Sequence, residues 1–394
     1  MEIRKISKGG LMMALDGGRF LGAWRASSGI YDAAVLSHVP IGCNWGAGML
    51  ASFSRQQEIN HACTILHERE IIFGGESSLE RSLLNIASNH NGPVIIVVSG
   101  DVPSIIGDDC DAVIRSLNLE KQVALINAPG FMGSMRDGYE DALLDLAELM
   151  KERDTIKKSV NLIGFCRDDY KVDADIREIK RLLSCAGIEV NCTISNCSYE
   201  EFLGAPAAEL NVVIGQGKLL ADQMKKEFAI PYIELEYPYG LQNSHRFVER
   251  IRDAIDYCDV VQNELDLESY KRIYVYLNKL YGMPVSVIGD HHSQAMAHFL
   301  EEDLGFDIKV LSTFNDPSFE DRIRNSNSIM IFGCSFELKI AKYLEVPLVR
   351  YVYPVFDRVS FCDAPFAGTR GAQVLIETIV NAALSYGDDY IIRA

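Results

Sequence analysis

Ten cysteines are the residues in this chain best suited to redox or metal chemistry, and their spacing excludes the simplest sites. No CxxC pair occurs, and the closest two are Cys192 and Cys197. A self-contained ferredoxin-type or zinc-ribbon centre needs closely spaced thiolates, so neither is encoded. Most free thiols in a large chain are small buried hydrophobes. A cluster here must therefore draw on residues distant in sequence, or on a second chain. Cys43 stands apart, in SHVPIGCNWGAG, where Gly42, Gly46 and Gly48 keep the backbone open. A thiolate ligand to an iron–sulfur cluster needs close backbone approach and N–H donors near its sulfurs. From spacing alone a structural thiol remains the slightly simpler reading of Cys43.

Three other motifs carry polar groups at strand-to-helix turns. GQGK at residues 215–218 has the look of a phosphate loop but lacks the GxxxxGK[ST] spacing, so it reads as a tight turn and no bound nucleotide is expected. His291 and His292 follow Asp290, which suits a metal or acid–base site, yet helix N-terminal polar residues explain them more simply. Asp108 and Asp109 could act as paired carboxylates, but they stand where a helix begins, so capping accounts for them.

The elements that must position these residues alternate along the chain. Apolar, β-branched runs at 94–100, 123–129, 160–165, 210–215, 284–289, 308–313, 328–333 and 348–354 read as parallel strands covered on both faces. Helical periodicity fills 173–185, 293–304 and 371–386, and a long helical stretch spans 244–280. Strand and helix in repetition predict an α/β fold of three Rossmann-like, doubly wound domains with parallel sheets, over 1–157, 158–282 and 283–394. The segment before Pro93, rich in Gly and Ser, reads as the least Rossmann-like part.

A net charge of −17 argues against nucleic-acid binding. No run of about 18 apolar residues suggests a membrane span, and the N-terminus does not read as a signal peptide. A cytoplasmic protein without a disulfide scaffold is expected.

SHVPIGC, then IIFGGESSLERSL at 71–83, then IIGDDCDAVI at 105–114, resembles component 1 of nitrogenase and its relatives, in which these blocks occur in the same order. PLVRYVYPVFDRVSFCDAPFAGTRGA at 347–372 looks like the tail of the β-type subunits, through Pro354, Phe356, Asp357, Arg358, Gly368 and Gly371. The block around GQGK also fits, so the likeness covers essentially the whole chain. It implies three α/β domains per subunit, an α-type partner, a metallocluster between the subunits, and electrons from a separate ATP-dependent iron protein.

The resemblance also implies three cluster cysteines. Of these the middle one falls on Cys43, the first near Gly18 and the third on Asp101. An eight-iron cluster in its usual form is thus not expected. One thiolate can still complete a [4Fe–4S] cluster whose other ligands come from a partner, as in the protochlorophyllide reductase relatives, where a carboxylate can take part. Asp101 is then a candidate cofactor-binding group. Cys63 and Cys110 are further candidate metal ligands, and a homodimer with a second copy of this chain would need them. Gly215 takes the place of the cysteine that anchors the active-site cofactor in α-type subunits, and the cofactor histidine is not apparent. Cys334 and Cys362 read as structural.

The leading expectation is a β-type subunit of a nitrogenase-like oxidoreductase, catalytic in complex. A scaffold for cofactor assembly, a tetrapyrrole reductase subunit of the protochlorophyllide or methanogen-cofactor type, and a cluster-free binding protein stand as alternatives. The catalytic residues and the substrate are not specified by the sequence.

Overall fold

A computed structural model describes residues 17–54, 60–257, 278–313, 316, 318–360 and 363–386. Cys362, much of the expected 244–280 helical stretch and nearly all of the N-terminal stretch read against a signal peptide lie outside the described residues. No described helix is long and apolar enough to cross a membrane.

Among the described residues, twelve strands form three four-stranded sheets. The first holds β1 (Ala34–His38), β2 (His61–Cys63), β3 (Val94–Ser99) and β4 (Gln122–Asn127). The second holds β5 (Ile156–Ile163), β6 (Glu189–Thr193), β7 (Ala208–Ile214) and β8 (Tyr232–Leu235). The third holds β9 (Pro284–Gly289), β10 (Asp307–Thr313), β11 (Met330–Gly333) and β12 (Leu348–Arg350). Their orders are β2-β1-β3-β4, β6-β5-β7-β8 and β10-β9-β11-β12, so one topological plan occurs three times. The ladders β1–β3, β3–β4, β5–β7, β9–β10, β9–β11 and β11–β12 are all parallel. In this order the chain leaves its first strand to one side and then returns to the other. Beyond the carboxyl ends of the strands at that reversal lies the crevice where open α/β sheets bind ligands.

All eight predicted strands are present, and the fold is the expected α/β arrangement of parallel sheets. One expectation is corrected. The segment before Pro93 contributes β1 and β2, and β1 lies inside its sheet between β2 and β3. Its reading AVLSH is fully buried, although Ser37 and His38 interrupt the apolar run that would have announced it.

The chain divides into two compact units, one of Asp16–Arg167 with Val190–Ile233, the other chiefly of Asp168–Glu189 with Glu234–Ala394. In the first, helix Gly18–Ser28 packs along helix Met135–Ala147. Gly22 and Gly138 permit this, because a Cβ on either would lie 1.8–1.9 Å from a backbone oxygen of the other helix. Trp24, Tyr139 and Leu143 join Val35, Val98, Ile126, Ile163 and Val213 in one core. Leu36, Leu79, Leu83, Ile95 and Val97 form a second layer, on the other face of the first sheet.

In the second unit, Asp175 on helix Val172–Cys185 reaches the start of helix Gly368–Leu384. Its carboxylate accepts hydrogen bonds from the N–H groups of Phe366 (2.5 Å) and Ala367 (2.9 Å) and from the Tyr237 hydroxyl (2.7 Å). Burial nevertheless pushes its pKa up to about 6. A carboxyl group whose folded pKa is raised stabilises the fold fully below its unfolded value, near 4, and that stabilisation is lost as pH rises through about 6. Asp175→Asn retains an acceptor without a charge. Urea denaturation at pH 4 and pH 7 is expected to show the variant gaining on the wild type at the higher pH, by about 2–3 kcal/mol. Parallel stability curves would refute the buried-charge reading.

Candidate functional site

The carboxyl ends of β1, β2 and β3 bring together residues that are scattered in sequence. Cys43 stands in the first turns of helix Ile41–Ser54, just after β1, and is exposed. Cys63 ends β2, and its sulfur donates to the Val39 carbonyl (3.4 Å) and accepts from the Ile65 N–H (3.3 Å). Asp101 opens helix Asp101–Ile106 after β3 and accepts from the Phe131 N–H at 3.3 Å. Partial desolvation raises the Cys43 thiol pKa despite its exposure, and the nearby Asp101 charge raises it further. The Cys63 pKa is raised by burial first, with Cys43 among the charges acting on it. Cys43 thus lies within electrostatic reach of both other groups. Both thiols hold their protons more tightly than a free cysteine, so metal binding here must release protons.

Side chains built on Gly42 or Gly46 would meet nothing within 4 Å. The surface beside Cys43 is therefore open. Ile41 and Trp45, which flank Cys43 in the chain, are exposed, and so are Ile65, Ile105, Phe131 and Met132. Two thiols and a carboxylate on one open edge suit a cluster held from one side, and they do not amount to a complete ligand set for four irons.

Gly18, near which the resemblance puts the first cluster cysteine, has no room for a side chain. Its φ is +61°, and a Cβ there would lie 2.4 Å from the Gly130 carbonyl oxygen. Gly18→Cys is expected to cost about 1–3 kcal/mol through its left-handed backbone alone, and not to raise bound iron. A urea midpoint with iron analysis checks both, and extra iron would show that the position accepts a ligand after all.

Cys110 is not brought to this edge. It is buried among Leu36, Leu79, Leu83, Ile95 and Val97, its thiol donates to the Ser99 hydroxyl at 3.8 Å, and burial pushes its pKa up to about 11. Its surroundings are those of a core thiol, an outcome set by the phase of helix Cys110–Leu117. Cys334 is likewise buried.

The loops carrying Cys43 and Cys63 are tied together by a group that sequence reasoning missed. His38, at the end of β1, is fully buried. Its Nδ1 lies 3.1 Å from the Thr64 hydroxyl and its Nε2 lies 3.1 Å from Asp108 Oδ2. Asp108 also accepts from the Gly75 N–H at 2.9 Å. Burial lowers the His38 pKa, outweighing the opposing pull of Asp108. The neutral ring with its proton on Nε2 satisfies both partners. The blocks SHVPIGC, FGGES and IIGDD thereby meet at one buried point. Asp109 has a separate role, capping its helix by accepting from the Ala112 N–H at 2.9 Å.

GQGK also has an internal explanation. The buried carboxylate of Glu140 accepts from the N–H groups of Gly217 (2.7 Å), Lys218 (3.3 Å) and Leu219 (2.9 Å). An anion does sit at this helix N-terminus, and it is the protein's own.

Three parallel four-stranded sheets of one plan define the fold class. The chain belongs to the nitrogenase component 1 type oxidoreductase family, whose model matches residues 19–326. It is 27% identical to the nitrogenase molybdenum-iron protein beta chain of Methanococcus maripaludis, over 92% of each chain. It is 33% identical to the nitrogenase iron-molybdenum cofactor biosynthesis protein NifE of Clostridium pasteurianum, over 60% of this chain and 53% of that protein. The matched region thus spans about half the length of the NifE relative but nearly all of the beta chain. Among solved structures, nitrogenase Cp1 at pH 6.5 superposes with a TM-score of 0.79 at 22% identity, covering 93% of this chain and 91% of that one, a likeness of fold.

Proposed function

We propose that this chain is the β-type subunit of a nitrogenase-like two-component oxidoreductase, with Cys43 as one ligand to a [4Fe–4S] cluster shared with an α-type partner. The observation that carries the reading is the one-sided donor set. Cys43 is exposed at the reversal point of the first sheet, with Cys63 and Asp101 within its electrostatic reach. When bound, the cluster supplies one-electron transfer, fed by an ATP-dependent iron protein. This chain's residues have simpler tasks. Cys43 binds as thiolate, and Asp101 stands as a ligand or a nearby charge. Cys63 is a reserve thiol already engaged by Val39 and Ile65. The His38–Asp108 pair holds the loops in place.

A second reading, a scaffold for cofactor assembly, is favoured by the 33% identity to NifE. Anaerobic co-purification with the partner, followed by iron and sulfide analysis, EPR and mass determination, tests the cluster and the assembly. Adding reductase, ATP and reductant then separates the two readings, since only the enzyme oxidises the reduced iron protein in repeated turnovers. A stable complex without iron or sulfide refutes the cluster assignment.

A further inference from the structure

The third sheet repeats the plan of the first, so its crevice lies at the carboxyl ends of β9 and β11. The chain leaves β9 there through three consecutive potential metal ligands, Asp290, His291 and His292. One nitrogen of each imidazole and a carboxylate oxygen of Asp290 all lie within 4.8 Å of one another. Asp290 Oδ1 is 3.6 Å from His291 Nδ1 and accepts from the backbone N–H of His292 at 3.0 Å. The two rings face each other at 4.2 Å between centroids and 39° between planes. Donors around one ion with bonds of about 2.0–2.2 Å stand roughly 3–3.5 Å apart. Small side-chain rotations therefore suffice to converge them.

The surroundings match that use. The turn is fixed by the Ser293 hydroxyl, which donates to the Asp290 carbonyl at 2.8 Å. The His292 ring is oriented by the Tyr239 hydroxyl, 3.4 Å from Nδ1, and by the Tyr237 ring at 4.4 Å between centroids. An outer partner of this kind sets the tautomer of a ligating imidazole. The buried rings of Tyr237, Tyr239 and Tyr351 pack one against the next, Tyr237 to Tyr239 at 4.6 Å and Tyr239 to Tyr351 at 6.2 Å between centroids, and back the site. His292 is buried, while the side chains of His291 and Asp290 keep 9% and 19% exposure, which leaves one side accessible to water or a ligand. Helix capping accounts for Asp290 but not for two imidazoles stacked beside it with their donors converging.

We propose that Asp290, His291 and His292 form a second metal site, for a first-row divalent ion such as zinc, independent of the cysteines of the first sheet. Two imidazoles and one carboxylate suit such ions, whereas magnesium and calcium prefer all-oxygen shells. The full chain and its Cys43→Ala variant are titrated with cobalt(II) as a coloured probe, with zinc as competitor. The expected result is one cobalt ion per chain with visible d–d bands, no sulfur-to-metal charge transfer, displacement by zinc, and the same behaviour in Cys43→Ala. His291→Gln is expected to weaken binding by more than about tenfold, the smallest loss typical of removing even an outer partner. Asp290→Asn serves as a second variant, and metal-free melting curves confirm that each folds. No cobalt binding by the wild type, equal binding by the folded His291→Gln and Asp290→Asn proteins, or a sulfur-type spectrum that disappears with Cys43→Ala would overturn the proposal.

Discussion

Cys43→Ala, isolated anaerobically with the partner chain, is expected to lose most of the cluster iron and its EPR signal while the complex stays assembled. The separation of the two effects follows from the geometry. Cys43 is exposed and its sulfur fills no core, so its removal should change stability by no more than about 0.5 kcal/mol. Ligation is another matter. A cluster held on this side by one thiolate has no equivalent replacement, because the Cys63 sulfur is already engaged by the Val39 carbonyl and the Ile65 N–H. Cys63→Ala is expected to leave more iron bound than Cys43→Ala, and Asp101→Ala to fall between them. Iron and sulfide content per complex, read beside size-exclusion mass, gives the ranking. Unchanged iron in Cys43→Ala would show that Cys43 is not a ligand.

Glu140→Ala should cause the largest loss of stability of any single change considered. Its buried carboxylate is the common acceptor for three N–H groups at the start of helix Lys218–Phe228. Truncation to alanine removes all three bonds and the negative charge that complements the helix dipole. Losing three bonds to a charged acceptor, one from the buried Gly217 N–H and two from part-buried donors, costs about 3–5 kcal/mol, a large share of the total for a typical domain. Glu140→Gln keeps one carbonyl oxygen and should cost about 1–2 kcal/mol. Urea unfolding followed by far-UV circular dichroism measures both. Sulfate should restore part of the stability of Glu140→Ala, since the vacated helix end is then an anion site. An unaltered midpoint in Glu140→Ala would remove the basis for reading GQGK as an internally plugged turn.

Much of the architecture was legible in the chain because burial on both faces writes itself as continuous apolar runs. VIIVVS in β3 and AELNVVI in β7 leave little alternative to a strand. The strands that escaped notice have physical reasons for doing so. β2, β6 and β8 are edge strands that carry exposed or half-buried residues, and β1 carries the buried polar pair Ser37 and His38. A polar residue inside a strand announces itself only when its partner is known, and the partner of His38 is Asp108, 70 residues later.

Sequence by itself determined the fold class, the family and the candidacy of Cys43, since apolar periodicity and ordered motif blocks are local properties of the chain. Only the tertiary structure decided which other residues join it. The parallel order β2-β1-β3-β4 carries Cys63 and Asp101 to the edge where Cys43 stands. The phase of one short helix turns Cys110 into the core, away from that edge. Packing against Gly130 leaves no room for a side chain at Gly18, and Glu140 reaches the GQGK turn from 77 residues away. Each of these is a distance between residues remote in sequence, fixed by how helices and sheets pack, and no local pattern encodes such a distance.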